Sequence, residues 1–251
     1  MAQRLRLMGS ANAGSGDSRG VRGEGAQRIA SGVLLAVVLI GDLWLGSWWY
    51  AALLAMGALV IAREYVRMVW RGWSTPLVRL LWLVFGAVYI GFALYGLWYA
   101  REQGFFAALL LFVAVWATDI GAFIFGRAIG GPKIAPRISP SKTWAGLVGG
   151  IVATIVAVFG AVSLEAKIVS GVDSYPWDWG LYICLWGMLA CAVITIVAQA
   201  GDFFESWMKR RAGLKDSGGI IPGHGGLLDR VDGLLPVAAL FPFAAQAAFP
   251  T

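Results

Sequence analysis

The uncharged stretch WGLYICLWGMLACAVITIVAQAG, residues 179–201, decides the fold class of this chain. A helix needs about 20 mainly apolar residues to cross the hydrocarbon core of a bilayer, and 179–201 reaches that length without one charged side chain. Backbone polar groups in lipid must find their hydrogen-bond partners within the protein, which a helix achieves by itself. The stretch therefore predicts a transmembrane helix.

Further uncharged runs of the same kind occur along the chain. They are 43–62, 80–100, 143–164 and 233–251, with weaker ones at 29–41 and 103–118. Only 14% of the 251 residues are charged, whereas soluble domains carry about 25% charged residues. We therefore predict an all-α, polytopic integral membrane protein with about seven transmembrane helices, and with room for eight or nine if some spans are short or broken.

The composition divides the chain into three parts. Residues 1–27 are rich in Gly, Ser and Ala and lack the apolar core of a signal peptide, which predicts a disordered cytoplasmic tail. Residues 28–114 are predicted to form N-terminal membrane helices. Residues 115–251 are predicted to form a catalytic membrane domain with two connecting loops, the first connector (127–142) and the second connector (202–232).

The Lys and Arg residues fall almost entirely on one side of this predicted topology. On a seven-span arrangement, only Arg101 and Lys167 of the 20 cations lie on the other side. Because Lys and Arg favour cytoplasmic loops, we expect both connectors to face the cytoplasm. Topology and attraction to anionic lipid headgroups explain the net charge of +6, so no nucleic-acid partner is expected.

The first connector and the apolar segment before it carry one set of candidate functional residues. Asp119 lies in an apolar segment, where a carboxylate is costly and by default marks a functional site; a buried hydrogen bond or pairing with Arg127 is the alternative. Ser139, Lys142 and Thr143 offer hydroxyl and ammonium donors that suit phosphate oxygens.

The second connector interleaves acids, cations and glycines. Asp216, Asp229 and Asp232, with Asp202 at the end of the preceding span, offer the hard oxygen ligands that suit Mg²⁺. The cations that could hold a polyphosphate are Lys209, Arg210, Lys215 and Arg230. Such a combination is typical of phosphoryl or nucleotidyl transfer. For His224, the only histidine, contact with the transferring phosphate, a role as base and a plain hydrogen bond to the loop all stay open.

The spacing of these residues resembles a known family signature. From Ser206 to Asp232 the chain fits S-x-x-K-R-x-x-x-x-K-D-x-G-x-x-[LIF]-P-x-H-G-G-x-x-D-R-x-D. The stretches 199–206 and 119–143 resemble the same family, the phosphatidate cytidylyltransferases or CDP-diacylglycerol synthases. The resemblance implies a Mg²⁺-dependent reaction of CTP with phosphatidic acid that gives CDP-diacylglycerol and diphosphate at the surface of the lipid bilayer. It also implies a homodimer.

The resemblance further implies roles for individual residues. Asp216 and Asp229 would be metal ligands, with Asp202 and Asp232 as further candidates. The cations expected to neutralise phosphate charge are Lys142, Lys209, Arg210, Lys215 and Arg230. The remaining substrate-binding candidates are Ser139, Thr143, Gly225 and Gly226. The residues expected to act in catalysis are Asp119, Lys215, Asp216, His224 and Asp229, of which Asp119 would lie at the membrane end of the cavity.

Other functions keep some support from the sequence. Asp229-x-x-Asp232-Gly233 resembles the start of the motif of CDP-alcohol phosphatidyltransferases, but that motif needs further aspartates and Asp232 is the last acid in the chain. Another membrane lipid phosphotransferase stays open. A transporter is the non-enzymatic alternative, although transporters place their charges within broken spans and here the charges lie in connectors on one side.

Overall fold

The computed structural model describes residues 37–171, 180–219 and 225–248, and it is predominantly helical over these ranges. Residues 37–45 are helical. The elements that follow are α1 (Ser47–Gly72), α2 (Pro76–Glu102), α3 (Phe105–Ala128), β1 (Lys133–Ala135), β2 (Ser139–Thr143), α4 (Trp144–Ser170), α5 (Leu181–Arg211), α6 (Leu228–Val231) and α7 (Leu234–Ala248). The predicted tail and His224 lie outside the described residues.

Within the described residues, four helices, α2 to α5, are long and apolar enough to cross a membrane, and α7 is a shorter apolar helix. A predominantly α-helical membrane protein is therefore supported, but the predicted count of about seven spans is not confirmed. Helix α1 has 26 residues, yet its C-terminal half carries Arg63, Glu64, Arg67 and Arg71, which reduce its apolar length.

The cations sort to the two ends of the helices as the charge pattern predicts. At the end where α1 and α5 finish, the Arg211 guanidinium lies 5.1 Å from the centre of the Trp73 ring, and Arg79 Nε donates to Trp73 O at 2.6 Å. At the opposite end, Arg101 Nε donates to Leu43 O at 2.9 Å. Arg101 thus lies away from the end that carries the connectors.

Helices α3 and α4 pack with their backbones almost in contact because small residues face each other. A Cβ on Gly121 would overlap Ala153 Cβ, and a Cβ on Gly146 would lie 2.9 Å from Ala122 O. Small residues at a crossing allow close van der Waals packing in lipid, where no hydrophobic force drives helices together. This packing fixes the wall of α3 on which Asp119 lies.

Three fully buried threonine hydroxyls join α3, α4 and α5 beside Asp119. Thr118 Oγ1 lies 2.8 Å from Thr154 Oγ1 and 3.2 Å from Thr195 Oγ1, and all three side chains have no exposed surface. Interhelical hydrogen bonds of this kind contribute about 0.6 kcal/mol each in membranes. They fix the orientation of α3 about its own axis at Thr118, the residue before Asp119.

The first connector contains a β-hairpin, which the all-α prediction did not include. Strand β1 pairs antiparallel with β2, with Lys133 opposite Thr143. Gly130 and Gly131 have positive φ angles of 69° and 91°, which glycine adopts without steric cost, and they turn the chain out of α3. Thr143 then caps α4, because its Oγ1 accepts from Gly146 N at 3.1 Å. The hairpin gives Lys142 a fixed position.

The second connector also begins later than predicted. Helix α5 continues to Arg211, so Asp202 and Lys209 are helical residues, separated by about two turns on one face. The polar end of a membrane helix can keep its helical hydrogen bonds beyond the apolar run, and the uncharged run ending at 201 therefore underestimates the helix by ten residues.

We expect Gly96→Ala to destabilise the packing of α2 against α7. A Cβ on Gly96 would overlap the carbonyl oxygen of Ala238, and overpacking a tight contact costs roughly 1–3 kcal/mol. The melting temperature in detergent should fall by several degrees. Gly91→Ala is the matched control, because nothing lies within 4 Å of its added Cβ; equal melting temperatures for the two variants would contradict this account of the contact.

Candidate active site

A cavity of about 500 Å³ lies where α3, the hairpin, α4, α5 and α6 meet. Both connectors contribute to its wall. The charged residues that line it are Asp119, Arg127, Lys133, Lys142, Asp202, Asp229 and Asp232. Carboxylates and cations from segments far apart in the chain therefore share one compartment, as the predicted topology requires.

An ion pair joins the two connectors across this cavity. Lys142 Nζ, from β2, lies 2.5 Å from Asp202 Oδ2 on α5. Asp202 Oδ1 also accepts from Ser206 Oγ at 3.3 Å. The Lys142 and Asp202 side chains keep 19% and 25% of their surface exposed, so water and solutes reach the pair.

Asp229 is the hydrogen-bonding centre of the second connector. Its Oδ2 accepts from Ser217 N, Ser217 Oγ and Gly226 N, each at 2.9 Å. Its Oδ1 accepts from Lys209 Nζ at 2.6 Å. Burial alone would raise the pKa of Asp229, but the hydrogen bonds from Lys209 and Gly226 outweigh it, and the pKa lies below its ordinary value. The carboxylate is therefore held ionised and in one orientation.

Lys209 is the cation that Asp229 shares with a second acid. Its Nζ lies 2.7 Å from Glu205 Oε2 as well as 2.6 Å from Asp229 Oδ1. Glu205 is 3% exposed, and its Oε1 has no hydrogen-bond partner among the described residues. One ammonium thus stabilises two carboxylates, which ties the end of α5 to α6.

Asp232 lies on the cavity wall among other negative charges. Burial, together with the negative charges of Asp202 and Asp119, raises the pKa of Asp232 to about 7. Its Oδ1 accepts a hydrogen bond from its neighbour Gly233 N at 2.8 Å. Three acids therefore crowd one region of the cavity, which favours a bound cation.

Magnesium fits the chemistry of this region. Among the described residues, no three His, Cys, Asp or Glu side chains already form a metal-binding group. Mg²⁺, however, is usually held by one or two carboxylates together with substrate phosphates and water. Asp202 and Asp232 line the cavity and supply carboxylate oxygens, and Asp229 Oδ1 keeps an acceptor site beyond its bond to Lys209.

The remaining predicted residues are distributed unevenly around the cavity. Ser139 is buried in the hairpin, and Thr143 lines the cavity as well as capping α4. Arg210, Lys215 and Asp216 are exposed and are not among the residues that line the cavity. Gly226 donates to Asp229, and a Cβ on Gly225 would lie 3.3 Å from Asp216 Cβ. Arg230 lines a neighbouring apolar cavity.

Sequence reasoning assigned no role to two buried polar residues next to these groups. Gln199 is 4% exposed, lines the cavity, and its Nε2 has no hydrogen-bond partner among the described residues. Glu64 is 3% exposed and accepts hydrogen bonds from Ser217, Leu227 and Leu228. For Gln199, the sequence signal was its position three residues before Asp202. For Glu64, the sequence offered no signal beyond an acidic residue in an apolar helix.

Residues 69–248 match the family described as the cytidylyltransferase family. A phosphatidate cytidylyltransferase of Brucella suis biovar 1 is 46% identical over 162 residues, which are 63% of this chain and 55% of that protein. One from Haemophilus influenzae is 34% identical over 203 residues, 78% of this chain and 65% of its own length. One from Rickettsia typhi is 32% identical over 215 residues, 85% of this chain and 89% of its own length. The chain thus spans only about half the length of the Brucella relative.

We expect Asp229→Asn to destabilise the second connector. An amide would place an N–H donor against either the Lys209 ammonium or the Ser217 and Gly226 amides. Breaking a buried charge pair by removing one partner costs roughly 3–5 kcal/mol, so the melting temperature in detergent should fall clearly.

Asp216→Asn is the matched control for this variant. Asp216 is exposed, and within the described ranges its carboxylate has no hydrogen-bond or ion-pair partner, so its substitution should leave the melting temperature unchanged. An unchanged melting temperature for Asp229→Asn would show that Asp229 does not hold the connector together.

Proposed function

The chain belongs to the cytidylyltransferase family, and on that premise we propose that it transfers the cytidylyl group of CTP to phosphatidic acid. The names of the relatives support this reaction. The observation that carries the proposal is the single cavity in which acids and cations of both connectors meet at one end of the membrane helices. A lipid phosphate and a water-soluble triphosphate can meet at such a place.

The proposed reaction forms one P–O bond and breaks another. A phosphate oxygen of phosphatidic acid attacks the α-phosphorus of CTP, and the bond from that phosphorus to the bridging oxygen of the β-phosphate breaks. Diphosphate leaves with the bonding electrons, and CDP-diacylglycerol remains. Lys133, Lys142 and Arg127 line the cavity and would neutralise the phosphate charges that approach each other. Arg210, Lys215 and Arg230 stay predictions for the same task.

A second cavity supports a lipid as one substrate. It has a volume of about 290 Å³, apolar residues of α1, α2, α3 and α7 form most of its wall, and Asp119 and Arg230 lie on its polar side. Asp119 lines this cavity and the polar one. An amphiphile could therefore keep its apolar part in this apolar cavity and present its phosphate to the polar cavity.

Magnesium is part of the proposal. The carboxylates of Asp202 and Asp232 would bind the ion, and Asp229 Oδ1 would be a further ligand. When bound, Mg²⁺ would neutralise and orient the phosphates of CTP. The chain's own contribution is to keep the acids together, which the Lys209 ammonium and the Ser217 and Gly226 donors do for Asp229. Asp216 as a ligand, and the homodimer, stay predictions.

We expect the purified protein in mixed micelles to release diphosphate when it receives CTP, Mg²⁺ and phosphatidic acid together. ATP and GTP should give little product in the same assay. Asp232→Asn should lower kcat roughly 100-fold, the usual effect of removing a charge-stabilising group, while Glu102→Gln, an exposed acid at the other end of α2, should be unaffected. A wild-type protein that releases no diphosphate with any of these nucleotides would contradict the proposed function.

We further propose that the site faces the cytoplasm from a bacterial inner membrane, because the cations lie at the connector end. A single cysteine that replaces Arg137 or Lys215 should react with an impermeant maleimide only from the cytoplasmic face of membrane vesicles. A cysteine at Glu102 should react only from the opposite face. The native Cys184 and Cys191 are buried and give little background. Labelling of Arg137→Cys and Lys215→Cys from different faces would separate the connectors and remove the site.

A further inference from the structure

Glu64 connects the N-terminal half of the protein to the second connector. It lies on α1, before residue 69 where the family match begins, and 97% of its surface is buried. A buried carboxylate is costly unless several donors surround it. The structure provides them from the second connector, which is more than 150 residues away in the chain.

The Glu64 carboxylate holds both sides of the loop that carries the signature. Its Oε2 accepts from Leu228 N at 2.8 Å and from Ser217 Oγ at 3.1 Å. Its Oε1 accepts from Leu227 N at 3.1 Å. Leu227 and Leu228 begin the short helix α6, for which no side chain within the helix supplies a cap. Glu64 therefore fixes both the turn at 217 and the start of α6.

The contacts continue from Glu64 to the cavity. The Ser217 hydroxyl lies between two carboxylates, 3.1 Å from Glu64 Oε2 and 2.9 Å from Asp229 Oδ2. Asp229 follows Leu228 directly, and Asp232 follows one turn later. A shift of Leu228 therefore moves both cavity acids together.

Two glycines of the signature also gain an explanation from Glu64. A Cβ on Gly218 would overlap Glu64 Oε1. A Cβ on Gly226 would overlap Ser217 Oγ, the hydroxyl next to Glu64, and would lie 2.7 Å from Glu64 Oε1. Both positions lie in ordinary regions of backbone conformation, since neither has a positive φ. Glycine is therefore required at both positions because a side chain there would collide with the Glu64 carboxylate or with the hydroxyl beside it.

We propose that Glu64 is a positioning residue for cytidylyl transfer: it anchors Ser217, Leu227 and Leu228 so that Asp229 and Asp232 keep their places in the cavity. The catalytic part of this inference rests on the proposed function. A purely architectural Glu64 would affect the amount of folded protein, whereas a positioning Glu64 also affects the turnover of the protein that folds.

The test compares Glu64→Gln with the wild type in full-length protein purified in detergent. The amide keeps the size of the side chain but places an N–H donor against donors of the loop. Hydrogen exchange of the Leu227 and Leu228 amides should accelerate at least about 10-fold, since each amide loses a hydrogen bond to a charged group. For the folded fraction, kcat should fall about 10- to 100-fold, because small displacements of reacting groups slow a reaction by such factors. The KM for phosphatidic acid should stay within about 2-fold of the wild-type value.

Two further variants keep the result interpretable. Arg71→Gln, an exposed change on the same helix, should leave exchange and kcat unchanged. Ser217→Ala removes only the hydroxyl between the two carboxylates, so it should lower kcat less than Glu64→Gln does. The double variant should have nearly the same kcat as Glu64→Gln alone. This milder variant replaces Glu64→Gln if the latter does not fold.

The outcomes separate this inference from the proposed function. Wild-type exchange at Leu227 and Leu228 in Glu64→Gln would overturn the anchoring role, and faster exchange with wild-type kcat would overturn the positioning role. A wild-type protein without transfer activity would sink the proposed function, whereas the exchange measurement would still decide whether Glu64 anchors the loop.

Discussion

The candidate site depends on how the chain stabilises a carboxylate where membrane helices end. Asp229 accepts three hydrogen bonds on one oxygen and the Lys209 ammonium on the other. These donors come from α5, from the turn at Ser217 and from Gly226, so one carboxylate joins three segments. Without it, Lys209 would face Glu205 alone and the second connector would lose the contacts that bring it to the cavity.

The apolar runs predicted most helices because a membrane imposes length and composition on each span. The runs 80–100, 143–164 and 179–201 all overlap long helices of the structure. They could not give the helix ends, because a helix continues in its charged turns when those charges find partners. Asp202, Glu205 and Lys209 follow each other at helical spacing, and the partners of Lys209 keep the last turns of α5 ordered. The predicted count of seven spans depended on where each helix ends and on the weaker apolar runs at 29–41 and 103–118.

The placement of the two connectors on one face could be predicted from the sequence, because two apolar runs separate them and the cations collect on the same side. The contacts within the site could not. Glu64 meets Leu228 across 164 positions, and no local pattern marks such a pair. The hairpin of the first connector was missed because its five-residue second strand contains Pro140, which propensity disfavours. Gln199 was noticed only as part of a motif, and that its buried Nε2 has no partner among the described residues is visible only in the structure.

The ion pair between Lys142 and Asp202 has a thermodynamic consequence for any anionic ligand of the cavity. The two charges already compensate each other and remain partly open to solvent. A triphosphate that binds Lys142 therefore competes with the Asp202 carboxylate for the same ammonium, and a carboxylate that is displaced needs a new counterion. Binding becomes an exchange of ionic partners, so the affinity reflects only the difference between two sets of contacts. The pre-existing pair therefore weakens the net attraction for an anion relative to an unpaired lysine, and it lowers the cost of letting that anion go by the same amount.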